Sequence, residues 1–126
     1  RLWVLEARSA DHSLAEASTR LANLRMVFFD PKQGESVLTA DQGEFLLRED
    51  RVRVRTNVVL TDGQGTTVRT TTLEYVDADR SLRTDDPVTI LSHGLTVTGT
   101  SLRIDTEQRR ITGHGRVRAL LPAARR

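Results

Sequence analysis

Three histidines, two close carboxylate pairs and two rows of arginine are the residues of this chain whose chemistry could reach beyond structure. His12, His93 and His114 could act as bases or metal ligands, but no two of them have ligand spacing and no carboxylate recurs at a fixed offset. Asp77 with Asp79, and Asp85 with Asp86, have the proximity that acid–base work needs. Both pairs sit among turn formers, where Asp bonds its own backbone, and the turn reading is the stronger one. Gly63-Gln64-Gly65 and Gly113-His114-Gly115 stand between strand-like runs rather than before helices, so they do not read as phosphate loops. With no cysteine there is no thiolate metal site, no cysteine nucleophile and no disulfide framework. The expectation is a protein without catalytic residues, metal or cofactor.

The arginines are the more open question. Arg51, Arg53 and Arg55 share one face of a strand, and Arg116 and Arg118 another. Arginine forks suit phosphates. A charged outer face that discourages aggregation explains the same rows more simply. Nucleic acid is not expected, because acids are interspersed, the net charge is only +2 and aromatics are 4%. The pI of about 9.9 overstates the basicity: only Lys32 accompanies the arginines, so little titrates just above neutrality.

The elements that carry these residues are written in period two. Arg51-Val52-Arg53-Val54-Arg55 alternates charge and apolar bulk, which is a half-buried strand. The same spacing recurs at Val58/Leu60, Leu73/Tyr75, Val88/Ile90, Leu95/Val97 and Leu102/Ile104. Turn chemistry separates the runs at Asp62–Gly65, Asp77–Asp79, Asp85–Pro87, His93-Gly94 and Gly113–Gly115. Trp3–Ala7 and Leu24–Phe29 also read as strands, closed by a turn over 30–34. A helical stripe at Leu14, Ala17, Leu21 and Leu24 competes there, and one short helical turn near Ser13–Ser18 is compatible with strands throughout. The 126 residues, 37% hydrophobic and 29% charged, suit one all-β domain over 1–126. No apolar run is long enough to span a bilayer as a helix. No signal peptide opens the chain, so any targeting segment or anchor is expected upstream of Arg1.

A repeat underlies the strands. Setting Leu73-Glu74-Tyr75 over Leu102-Arg103-Ile104 places Arg80 on Arg109, Leu82 on Ile111, Val88 on Val117 and Leu91 on Leu120, each 29 residues on. A looser copy about 30 residues earlier holds Phe45, Val52, Val58 and Leu60. Stacked units of this kind form a sheet roll with a continuous apolar stripe inside.

On these residues the chain resembles the LptC family, the membrane-anchored bridge component of lipopolysaccharide export. Trp3–Ala10 is similar to that family's first periplasmic strand, and Val27–Asp30 with Val37–Gly43 to its next hairpin. Asn57–Leu60, Arg69–Leu73 and Leu82–Thr89 resemble its centre, and Gly99-Thr100-Ser101-Leu102 its late Gly-x-x-Leu element. The likeness covers nearly the whole chain and lies in the order of the segments rather than in any one motif. It implies an OstA-like twisted β-jellyroll of repeated antiparallel strands, open along one edge, on the periplasmic face of the inner membrane.

The resemblance further implies that the domain receives lipopolysaccharide from the inner-membrane transporter and passes it to the soluble bridge protein LptA. The apolar stripe then becomes the wall of a lipid groove. Its expected members are Val27, Val37, Phe45, Val52, Val54, Val58, Leu60, Leu73, Tyr75, Val88, Ile90, Leu102, Ile104 and Val117. Each of these would also serve as ordinary core. Partner contacts are expected at exposed sheet edges. The natural edges are the first strand, Trp3–Ala7, and the last, Arg116–Leu121. Trp3, Val4 and Leu5 in the first would face the transporter, and Val117 and Ala119 in the last, with Gly99, would serve the LptA side, so Val117→Pro is expected to remove a ladder donor and lower bridge binding. Two alternatives remain at this point: a soluble LptA-like bridge subunit, and a structural β-roll without ligand, which a tightly closed interior would favour. A carbohydrate-active enzyme would need clustered carboxylates that the sequence does not supply.

Overall fold

The computed structural model describes residues 2–30, 34–105 and 110–120, with the side chains of Leu2, Trp3 and Asp30 outside that description. Five long strands come first: β1 (Leu2–Ser13), β2 (Ser18–Asp30), β3 (Gly34–Leu46), β4 (Arg51–Thr61) and β5 (Thr66–Val76). Six short ones follow: β6 (Ser81–Thr84), β7 (Val88–Ser92), β8 (Leu95–Gly99), β9 (Ser101–Asp105), β10 (Arg110–His114) and β11 (Arg118–Leu120). All pairs are antiparallel in one unclosed sheet that runs β1-β2-β3-β4-β5 and then forks. One branch continues β6-β9-β10, the other β7-β8-β11. No helical turn forms at Ser13–Ser18. Leu14 is 86% exposed in a hairpin turn, while Leu21 and Leu24 belong to β2 and the core. A short 3₁₀ turn at Leu47–Glu49 had no sequence signal.

The fork follows from where the backbone bends. A crease crosses the whole sheet at Asn23, Thr56 and Asn57, with φ of 51°, 68° and 54°, and at the register shifts in β3 and β4. Asparagine tolerates the left-handed region, whereas a β-branched threonine there is unusual. The long strands bend through the crease. The later ones break at it, at Asp85–Pro87, Gly99-Thr100 and Gly115–Val117. Every described non-glycine residue with positive φ lies either on this crease or in a hairpin turn.

Pairing reproduces the sequence repeat residue by residue. Tyr75↔Leu82 recurs as Ile104↔Ile111, and Val68↔Ile90 as Val97↔Ala119, each 29 further on. The earlier copy holds at 30, with Phe45↔Val52 and Leu38↔Leu60. A unit is therefore one strand pair, long in the first half of the chain and broken at the crease in the second.

Folding about the crease makes the core. Row Leu5–Met26–Leu38–Leu60–Val68–Ile90–Val97–Ala119 lines one wall. Row Thr19–Phe45–Val52–Tyr75–Leu82–Ile104–Ile111 lines the other. Leu24, Met26, Leu38 and Val58 are fully buried between them, each stabilising the fold by roughly 1.5–3 kcal/mol. Gly43 leaves room for this: a Cβ there would overlap Leu24 Cδ2.

Candidate functional site

The interior stripe is the first candidate. Phe45, Val52, Val54, Val58, Leu60, Leu73, Tyr75, Val88, Ile90, Leu102 and Ile104 all belong to the packed core or pack against it. The fold thus gathers eleven of the fourteen expected groove residues on one inward face. Val27 and Val37 are not among them. They pair with Val4 and Thr61 in a row on the opposite face from Met26 and Leu38, as alternation along a strand requires. Val27 is nevertheless buried. Leu5, Leu24, Met26, Phe28, Leu38 and Val68 take inward places that the sequence reading passed over. The signal that could have found them is the 30-residue register, which sets Leu38 over Val68.

The stripe is closed in the middle and uncovered at one end. Tyr75 is 5% exposed and its hydroxyl donates to Asp77 at 3.1 Å. By contrast every residue of β10 and β11 is exposed. Ile111, last in the Tyr75 row, is 44% exposed, and Val117 is 52% exposed. The reason is topological: each inner strand is covered by the wall folded over it, and the terminal strands of the two branches have no further neighbour among the described residues. Val117 stands in the link between β10 and β11 rather than in a ladder. A Cβ built on Gly99 would touch its Cγ2 at 3.6 Å, an ordinary contact.

Among the described residues, two ends of the sheet present strands paired along one side only. β1, carrying Trp3, Val4 and Leu5, is one. β10 and β11 form the other, and Ala119 lies in β11. The described part of the last strand stops at Leu120, so Leu121, expected in that edge, lies outside the described residues, as does Arg109 of the repeat.

The outer face of the β3–β6–β9 wall carries a shallow trough of about 680 Å³. Its floor holds the cross-strand charge row Glu44–Arg53–Glu74–Arg83–Arg103, which Arg20 and Asp11 continue beyond the trough. Glu74 takes Arg53 at 2.8 Å and Arg51 at 3.7 Å. That hydrogen bond holds the Arg53 guanidinium above its ordinary pKa. Arg83 and Arg103 face each other as like charges, and Asp79 in the turn before β6 bridges both. The Ser81 hydroxyl first, then Arg83 and Arg103, hold the Asp79 carboxyl below the usual carboxylate pKa. Two of the arginines that could have gripped phosphate, Arg51 and Arg53, are thus engaged by Glu74. Asp85 and Asp86 lie in the turn between β6 and β7, as read from the sequence, but their carboxylates accept from Ser101, Thr71 and Thr72 on neighbouring strands rather than from the turn's own backbone.

The three histidines do not meet. His12 bonds Thr19 on the neighbouring strand, His93 lies in a hairpin turn over Gly65, and His114 ends β10. No group of three metal-ligating side chains occurs among the described residues, and no described helix is long and apolar enough to cross a membrane.

Comparison with known proteins adds three findings. A family model described as lipopolysaccharide-assembly, LptC-related, matches residues 1–121. No curated protein matches the chain. Among solved structures, the crystal structure of LptH from Pseudomonas aeruginosa, the LptA-homologous periplasmic component of a lipopolysaccharide transport device, superposes with a TM-score of 0.74. That match has 12% identity and covers 98% of this chain and 96% of the other, so it is a likeness of fold.

Proposed function

The chain belongs to the LptC-related lipopolysaccharide-assembly family, and from that premise we propose that its interior stripe carries lipopolysaccharide acyl chains from the inner-membrane transporter to a soluble LptA-like bridge. A role in lipopolysaccharide transport follows from the family, which is not an enzyme family. The relay, the periplasmic site with an anchor upstream, and the division of partners between the two sheet ends are our reading.

One observation carries it: the apolar row through Val52, Tyr75, Leu82 and Ile104 ends uncovered at Ile111. An aliphatic wall that continues to an open sheet end can be extended by another protein's wall, and it holds a chain without a directional trap. The edge of β1 would then meet the transporter's periplasmic domains, and the ends of β10 and β11 the bridge. The bland alternative, a ligand-free roll, draws on the close packing around Tyr75. It leaves the exposed Ile111 and Val117 without a purpose, since exposed aliphatic side chains at an open edge invite pairing.

The test is photo-crosslinking to purified lipopolysaccharide. A photoreactive residue replaces Ile111, Tyr75 or, as the outward control, Arg53. Adducts at Ile111 and Tyr75 without one at Arg53 are the expected result. A folded domain that labels at none of the three, or equally at all, would turn the reading toward a scaffold without lipid contact.

A further inference from the structure

We propose that the domain opens as a hinged sandwich: the crease is its hinge, and the Phe28–Tyr75 ring contact is the clasp at its lip. The purpose of this motion rests on the lipid-relay reading, but its geometry does not.

The clasp is identified by distance along the sheet. Phe28 pairs with Ser36, one step past Val37↔Thr61, so its level on β5 lies near Thr66. Tyr75 is nine residues further along β5. In a flat sheet that separation is about 30 Å. The two rings instead lie 5.8 Å apart, tilted by 55°. Only folding about the crease brings them together, and they meet far from it, where a small change of angle produces the largest separation. Phe28 is only half-buried, so the contact stands at the lip rather than deep in the core.

The hinge is identified by its bonding. Elsewhere the sheet is held by ladders. At the crease the register shifts, and side chains span the gap instead. Asn57 Nδ2 donates to Asp41 at 2.7 Å, Thr70 donates to the Pro87 carbonyl at 3.0 Å, and Thr71 donates to Asp86 at 3.1 Å. Thr100 closes the seam by donating from its hydroxyl to the Gly115 carbonyl at 3.1 Å. Such bonds tolerate a change of angle, because hydroxyls and amides rotate while ladder groups do not. Two packed walls joined by a polar, left-handed crease form an element with two arrangements, closed with the rings in contact or open with them parted.

The experiment measures the angle without lipid, so a failure of the relay reading leaves it standing, and its own failure leaves that reading standing. The chain has no cysteine. Glu35→Cys at the start of β3 and Arg48→Cys in the 3₁₀ turn just after its end place spin labels on opposite lips, and Arg48→Cys with Ala78→Cys gives a control pair along one lip. We expect a main short distance and a minor long one for the first pair. Phe28→Leu should raise the long population several-fold while the control pair stays fixed. Tyr75→Phe keeps the ring and should change neither distance. Phe28→Ala serves as a stronger form, and Tyr75→Leu approaches the same contact from the other wall should a Phe28 variant not fold. One narrow distance, unaltered by Phe28→Leu and Tyr75→Leu, would overturn the proposal.

Discussion

At the scale of single residues, the sharpest constraint is the pair Leu24 and Gly43. Leu24 is 2% exposed, and a methyl at Gly43 would press on its Cδ2 and stand 3.2 Å from the Arg53 carbonyl oxygen, which is backbone. Gly43→Ala is expected to cost about 1–3 kcal/mol by overpacking, read as a lower denaturant midpoint with an unchanged slope. Gly99 behaves differently. Its nearest neighbours would stand 3.6 Å or more from a new Cβ, so Gly99→Ala should fold normally. Gly99→Arg would drive a long cation against Val117 and the backbone of the β10–β11 link. It should therefore weaken pull-down of an LptA-like bridge while Tm stays near that of Gly99→Ala. Normal bridge capture by Gly99→Arg would remove Gly99 from the interface.

Asp79 is the residue with a pH signature. Its folded pKa is depressed, so its contribution is present above the unfolded carboxylate pKa and is lost as pH falls through the folded value. Asp79→Asn should flatten the acid limb of the stability curve, below about pH 4. It should also leave Arg83 and Arg103 facing each other without their shared counter-charge. An acid limb identical to that of the parent, followed by thermal unfolding across pH, would show that the bridge is only a surface pair. Much of this scale was legible in the sequence: the turn position of the aspartates and the solvent role of the arginine rows. The partner of Arg53 was not, because Glu74 lies 21 residues away and meets it only through strand register.

At the scale of elements, the last edge is where sequence and structure part. Val117 was expected to sit in the terminal strand, where Val117→Pro would remove a ladder donor. It lies in the link, so that substitution tests the link and not the edge. Ala119 and Leu120 are in β11, and successive amides of a strand point to opposite sides. Of Ala119→Pro and Leu120→Pro, one should break bonding to β8 and lower Tm. The other should leave Tm nearly unchanged and lower bridge binding. Equal effects of both on binding, by calorimetric titration, would show that β11 is not the docking edge. Val27 and Val37, expected on the groove wall, face away from it for a related reason. Met26–Phe29 and Val37-Leu38 are apolar on both faces, so period two cannot choose between them. The positive φ of Asn23 resets the alternation just upstream.

At the scale of the whole molecule, the repeat makes a strong prediction. Asp105 occupies the place of Val76 one unit on. A second copy of residues 77–105 inserted after Asp105 should add one unit to the roll. Unfolding should remain a single transition with a larger denaturant slope, since more surface is exposed on unfolding. Rapid proteolysis confined to the inserted copy would refute the stacking logic.

What the sequence determined by itself is what local chemistry sets: alternation, the hairpin turns, the 29–30-residue unit and the segment order shared with one family. These depend on residues near each other in the chain, and period two is visible wherever one face is polar. The tertiary structure alone decided which apolar residues are covered, since coverage depends on a wall folded over from far along the chain. It brought Phe28 onto Tyr75, left Ile111 bare and engaged Arg53 with Glu74. A crease marked by the positive φ of Asn23, Thr56, Asn57 and Arg116 makes that choice. Its cause is steric and hydrogen-bonded at Asn23, Thr56 and Asn57, and its consequence is the closed interior with one open end.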